Sequence, residues 1–203
     1  MIVAGFSLKT SVYAFSITLV ALLLQFFVIS PLEENFRTDQ YVSIVSFVYI
    51  SHGVKVFLAL TLGLAAFPAI FLAALTNAML FWGVSITSYT GALIGIVSLG
   101  IPLILHNASF KKDLWHPPIF NNDIDFSALW LYLSFSLIAS FANGLLHSAL
   151  YGFHNDALPF YFILGDNIGA LVVFVFVMMI RNIILLKTIR ELEWQIYGYF
   201  WGC

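Results

Sequence analysis

Lys55 and Asp166 are the two side chains in this sequence that most demand a chemical explanation, because each interrupts a long apolar run. A charge at the centre of a membrane helix costs about 2.5–3.5 kcal/mol on insertion scales, so such residues face a bundle interior and often mark a site. Other polar groups accompany them. His52 lies three residues before Lys55, and Ser136, Ser140, Asn143 and His147 recur at intervals of four, three and four, which puts them on one helical stripe. His52, Lys55, Asn143, His147 and Asp166 are therefore the candidate ligand-binding residues. A half-helix starting at Val54 would also aim its N–H groups at an anion. The competing reading is a structural ion pair or hydrogen-bond network among Lys55, His52 and Asp166 with no ligand. His147 and Asp166 would make an acid–base pair, but no nucleophile accompanies them and no HExxH, CxxC, GxSxG or P-loop pattern occurs. No catalytic residue, metal ligand or cofactor is expected, and an enzyme is the least favoured class.

The elements that must position these groups follow from composition. Of 203 residues, 62% are hydrophobic and 9% charged, with a net charge of −2 and a mean hydropathy of +0.99. A soluble domain carries about 25% charged residues, so this chain cannot cover a water-facing surface. That excludes a soluble enzyme, a secreted disulfide scaffold and, with only eight Lys and Arg, a nucleic-acid-binding domain. The single cysteine, Cys203, has no partner within the chain. The reading is an all-α integral membrane protein, one bundle of about six transmembrane helices, with the lipid bilayer as its first partner.

A membrane helix needs about 20 apolar residues. Spans are expected at about 11–30, 41–62, 68–83, 89–107, 128–150 and 161–186, followed by a short cytoplasmic or interfacial tail, 187–203. The first has an apolar stretch too long for a signal-peptide core and is expected to stay uncleaved. Between 41 and 83 the break falls at Ser51-His52-Gly53 or at Gly63 to Pro68; a discontinuity near Ser51–Gly53 is expected, and Pro68 suits the opening turn of the next helix. With six spans and the N-terminus inside, Lys9, Lys111, Lys112, Arg181, Lys187 and Arg190 fall on or near the cytoplasmic side and only Arg37 lies outside; five or seven spans would scatter them. Trp82 and Trp130 suit interfacial belts, and Arg181 is near enough to its helix end to snorkel.

Small residues supply packing stripes: Ala69 and Ala73 in the third span, Gly91 and Gly95 as GxxxG in the fourth, and Gly165 and Gly169 beside Asp166 in the sixth. At 1.5 Å per residue, Asp166 lies roughly 8 Å, Asn143 roughly 10 Å and His147 roughly 4 Å below the outer ends of their helices. On a straight helix from Tyr41, His52 would be roughly 16 Å and Lys55 roughly 20 Å deep. A direct Lys55–Asp166 pair then needs the lysine to reach upward or the chain to bend.

Two stretches carry a family resemblance. Gly63 to Asn77, GLAAFPAIFLAALTN, resembles the "G…WPGIFLGA…N" signature of the first-described membrane-associated sensor (MASE-type) family, and Leu164 to Gly169, LGDNIG, is similar to its "LGDLLG" signature. Tyr49 to Val54 stands where that family has a proline-rich turn. Ala69 and Ala73 replace glycines of the pattern, and Ser51-His52 replaces the proline pair. The family supplies N-terminal membrane modules to bacterial sensor kinases and diguanylate cyclases. The resemblance implies a multi-pass module of the bacterial inner membrane, both termini cytoplasmic. The segment after Leu186 is too short for an output domain, so a stand-alone module with a separate protein partner is expected.

Three functions are consistent with these features. The first is a sensor-like or ligand-binding module with an outward-facing polar cavity for an unidentified small ligand, signalling to or assembling with that partner. The second is a small-solute transporter or its substrate-binding subunit, since a broken helix with a buried Lys and Asp also suits a carrier. The third is a structural subunit of a membrane complex.

Overall fold

The computed structural model describes residues 8–34, 46–115, 117–118, 128–151 and 158–201. Arg37, His116, His154 and Cys203 lie outside the described residues. All the regular structure among the described residues is helical: α1 (Leu8–Leu24), a π-helical turn (Gln25–Ile29), α2 (Ser30–Glu34), α3 (Ile50–Leu62), a 3-10 turn (Gly63–Ala66), α4 (Phe67–Trp82), α5 (Ile86–Ser109), α6 (Ala128–Tyr151) and α7 (Leu158–Trp201). Five helical runs are long and apolar enough to cross a membrane: Leu8–Glu34, Ile50–Trp82, Ile86–Ser109, Ala128–Ala149 and Pro159–Ile183. Six were expected. The expected spans 41–62 and 68–83 make up the single run Ile50–Trp82, and α7 carries the expected tail on as helix to Trp201.

That run is bent back on itself. Straight, its ends would stand roughly 48 Å apart. Instead both meet the same end of α1: the Ile50 N–H donates to Gln25 Oε1 at 2.9 Å, and the Phe26 ring stacks on Phe81 at 4.6 Å and meets Trp82 edge-on at 5.3 Å. The reversal lies at Gly63, whose φ of 61° and ψ of −148° are open to glycine and costly for other residues, and whose N–H closes α3 on Ala59 O. Pro68 then opens α4, where its missing N–H costs nothing. The discontinuity expected near Ser51–Gly53 is thus found elsewhere. Ser51, His52 and Gly53 are the first turn of a regular α3, and the irregular backbone lies just before them, at residues 46–49, and again at the Gly63 turn.

The other directions follow from paired residues. Tyr132 and Phe174 rings lie 5.4 Å apart and Gly144 lies over Pro159, so α6 and α7 are an antiparallel hairpin. Ser46 meets Gly165, Tyr49 meets Gly169 and Gly53 meets Ala170, so α3 with the strap before it runs parallel to α7. Ser85 caps α5 by accepting the Ser88 N–H at 3.2 Å, and Gly100 of α5 faces Phe67 of α4. One core of Val56, Leu60, Ile70, Leu99, Leu103, Tyr132 and Phe174 joins these helices.

The distribution of polarity is inverted relative to a water-soluble bundle. Large apolar side chains such as Val20, Phe27, Leu80, Leu93, Ile104, Phe160 and Phe176 are exposed, whereas Thr18, Gln25, His52, Asn77, Asn107, Ser140, Asn143 and Asp166 are buried.

Candidate functional site

The site forms where the first turn of α3 enters the groove between α6 and α7. Glycines make this entry possible. A Cβ on Gly165 would collide with the Ser46 carbonyl, one on Gly169 with the Tyr49 carbonyl, and one on Gly53 would stand 2.8 Å from Gly169 O and Ala170 Cα. The strap 46–49 is not helical, so its backbone groups need partners from elsewhere. Tyr49 N–H donates to Gly165 O at 3.0 Å, Val48 N–H to Glu33 Oε1 at 2.8 Å and Ile50 N–H to Gln25 Oε1. Gln25 Nε2 also donates to Ser46 Oγ at 2.8 Å, and Ser46 Oγ–H reaches the Glu33 carboxylate. Gln25 stands in the π-helical turn, a local widening that often accompanies function.

At the centre, His52 Nδ1 lies 3.3 Å from Asp166 Oδ2, with the two side chains 5% and 2% exposed. The other ring nitrogen, Nε2, is 3.3 Å from Ser140 Oγ, and Ser140 Oγ–H donates to Ser136 O at 2.7 Å. Ser140 and Asn143 flank the Asp166 carboxyl. Tyr132 O–H donates to Gly53 O at 2.8 Å and fixes the α3 turn from the α6 side. Several buried oxygens in and beside this cluster have no aligned hydrogen bond: Asp166 Oδ2, Asn143 Oδ1, Ser136 Oγ and Ser51 Oγ.

The structure therefore brings His52, Asn143 and Asp166 together. Lys55, one turn further along α3, is buried and places its ammonium 5.4 Å from the centre of the Tyr49 ring. Its charge reaches His52, Asp166 and His147, but the carboxylate's direct partner is His52. The direct Lys55–Asp166 pair weighed from the sequence gives way to a His52–Asp166 contact because α3 begins at Ile50 rather than Tyr41, which moves His52 up to the carboxylate. His147 sits at the rim; its Nδ1 is 2.9 Å from Asn143 O and its ring stacks on Phe162 at 5.5 Å. Among the described residues no group of three or more His, Cys, Asp or Glu could hold a metal ion.

Of the packing residues, Ala69 and Ala73 are buried, whereas a Cβ on Gly95 would meet nothing within 4 Å and Gly91 is half-buried. The close approaches belong to Gly53, Gly165 and Gly169. Sequence reasoning missed Tyr132, Gln25, Glu33 and Gly53 as members of the site. Tyr132 was findable, because it continues the Ser136, Ser140 and Asn143 stripe one turn earlier.

No family model matches this chain, and no curated protein or solved structure matches it.

Proposed function

We propose that this chain is a multi-pass membrane protein of the bacterial inner membrane whose His52–Asp166 cluster is the ligand-responsive site of a sensor-like module. The apolar exterior and polar interior support membrane residence, because lipid rather than water is the solvent such a surface suits. Six crossings are favoured, with α3 and α4 as two of them. Each is short, roughly 20 Å and 24 Å, and the non-helical strap before α3 and the 3-10 turn before α4 lengthen both paths toward a hydrocarbon layer of about 30 Å. This path leaves both termini on one side together with Lys9, Lys111, Lys112 and Arg181, the cytoplasmic side by charge.

The observation that carries the functional reading is the buried His52–Asp166 contact at the non-helical entry to α3. Ionisable groups at this depth are costly, and they join two helices whose backbones touch through glycine. A ligand that engages the pair in only one arrangement of α3 and α7 would shift those helices, and α7 runs on to Trp201 toward a cytoplasmic partner. The two stretches that resemble the membrane-associated sensor family supply the α3–α4 turn and the Gly165–Gly169 face of α7. A thermal-shift screen of small polar solutes on the purified protein tests this. Stabilising solutes whose effect is lost in Asp166→Asn support the reading; stabilisation that survives that substitution sinks it.

The irregular strap at the start of α3 favours one second reading, a small-solute carrier, since unwound backbone at membrane depth commonly lines a transport site. Uptake of a stabilising solute into proteoliposomes would decide for it.

A further inference from the structure

We infer that the His52–Asp166 pair holds a single exchangeable proton that regulates this site, and that Lys55 is the tethered cation that takes the proton's place at the carboxylate. This deepens the responsive-site reading and rests on it. The argument is a count of hydrogens. Ser140 has one hydroxyl proton, and it lies on the bond to Ser136 O. With that proton on Ser136 O, Ser140 Oγ accepts from His52 Nε2, and in this tautomer Nε2 carries a proton. The remaining nitrogen, Nδ1, faces Asp166 Oδ2 at 3.3 Å.

With one proton on the pair, as imidazolium beside carboxylate or as imidazole beside carboxylic acid, the 3.3 Å approach is attractive even though Oδ2 has no aligned hydrogen bond in this arrangement. Without it, two lone pairs oppose each other in a buried site, and the carboxylate keeps a charge that His52 no longer balances. Release is balanced as a simple dissociation: the O–H or N–H bond breaks, the electron pair stays on the pair, and the proton leaves for water. The cation nearest to replace it is Lys55, whose ammonium over the Tyr49 ring already acts on Asp166. Moving it to the carboxylate pulls on α3 one turn from His52, so proton release and the α3–α7 contact are coupled.

Other titratable groups face the pair from each neighbour. They are Tyr49 and Lys55 from the strap and α3, Tyr132 and His147 from α6, and Glu33 from the end of α1 through Ser46. All of them are retained in Asp166→Asn, and only Lys55 is removed in Lys55→Met.

The experiment is a set of thermal unfolding profiles of the purified full chain between about pH 5 and about pH 9, a range that spans the ordinary imidazole value. The Tm of the parent is expected to fall by about 4 °C or more toward high pH. Asp166→Asn, whose amide N–H can occupy the proton's position, is expected to lose that fall, and Lys55→Met to deepen it. Parent and Asp166→Asn profiles that fall alike overturn the proposal. If Asp166→Asn loses solute stabilisation yet keeps the parental pH profile, the proton assignment fails and the responsive site stands. If it changes neither, both fail. Should the variant not accumulate, pH-difference infrared spectra of the parent decide. A carboxyl or imidazolium band that changes with pH and is displaced by His52→Gln supports the proposal, and its absence overturns it.

Discussion

The backbone of Gly169 lies directly against the carbonyl of Tyr49, so α7 and the strap before α3 meet with no side chain between them. Gly165 and Ser46 repeat the contact one turn earlier. Both glycines flank Asp166, and their small size is what lets the carboxylate reach His52.

Gly169→Ala should therefore separate the helices. Overpacking of this kind costs about 3 kcal/mol at the upper end of its range, which for a chain of this size lowers Tm by roughly 6–12 °C. Gly165→Ala should behave alike, while Gly95→Ala, whose Cβ meets nothing within 4 Å, should leave Tm unchanged or slightly raised. Equal effects at Gly169 and Gly95 would refute the close approach.

Gln25 holds the start of α3 through two bonds, accepting from Ile50 N–H and donating to Ser46 Oγ. Gln25→Leu keeps the volume but strands a buried backbone N–H, at a cost of about 1–3 kcal/mol. Glu33→Gln should cost less, about 1 kcal/mol, because its amide oxygen can still accept from Val48 N–H. Thermal unfolding of the two variants in one detergent tests the order; a larger loss for Glu33→Gln would contradict it.

Much of this was legible in the sequence, and the reason lies in cost. A buried charge is improbable enough that Asp166 and Lys55 stand out unaided, and the period of Ser136, Ser140 and Asn143 places them on one face. The partner of Asp166 was less legible. Hydropathy reports where a run is apolar, not where its helix starts, and the start of α3 at Ile50 rather than Tyr41 changes which side chain meets the carboxylate. Gln25 and Glu33 were illegible for a related reason, since they serve backbone groups at the start of α3 and in a strap whose irregular conformation has no marker in its own residues. Gly91 and Gly95 show the converse: a GxxxG spacing specifies a smooth face and does not name a neighbour.

Tyr132 donates its hydroxyl to Gly53 O, between α6 and the first turn of α3. Tyr132→Phe leaves the ring against Phe174 and removes only that bond. A loss of about 1 kcal/mol, or roughly 2–4 °C in Tm, is expected. A loss as large as that of Tyr132→Ala would mean that the hydroxyl bond carries the whole effect and the ring packing none of it.

The path of the chain across a membrane can be decided by three single cysteines in a Cys203→Ser background. If α3 and α4 cross separately, Glu34→Cys at the end of α2 and Ser85→Cys between α4 and α5 lie on one side, and Lys112→Cys after α5 lies on the other. A single crossing by Ile50–Trp82 would instead pair Glu34 with Lys112 and set Ser85 apart. The hydrogen bond from Ile50 to Gln25 and the ring stacking of Phe26 on Phe81 favour the first pattern, because both ends of the run then sit at one depth. An impermeant thiol reagent added to intact cells should therefore label the cysteines at 34 and 85 and spare the one at 112. Labelling of 34 and 112 without 85 would make the Gly63 turn a kink within one crossing, and the His52–Asp166 pair could not then be reached by the parallel packing of α3 and α7.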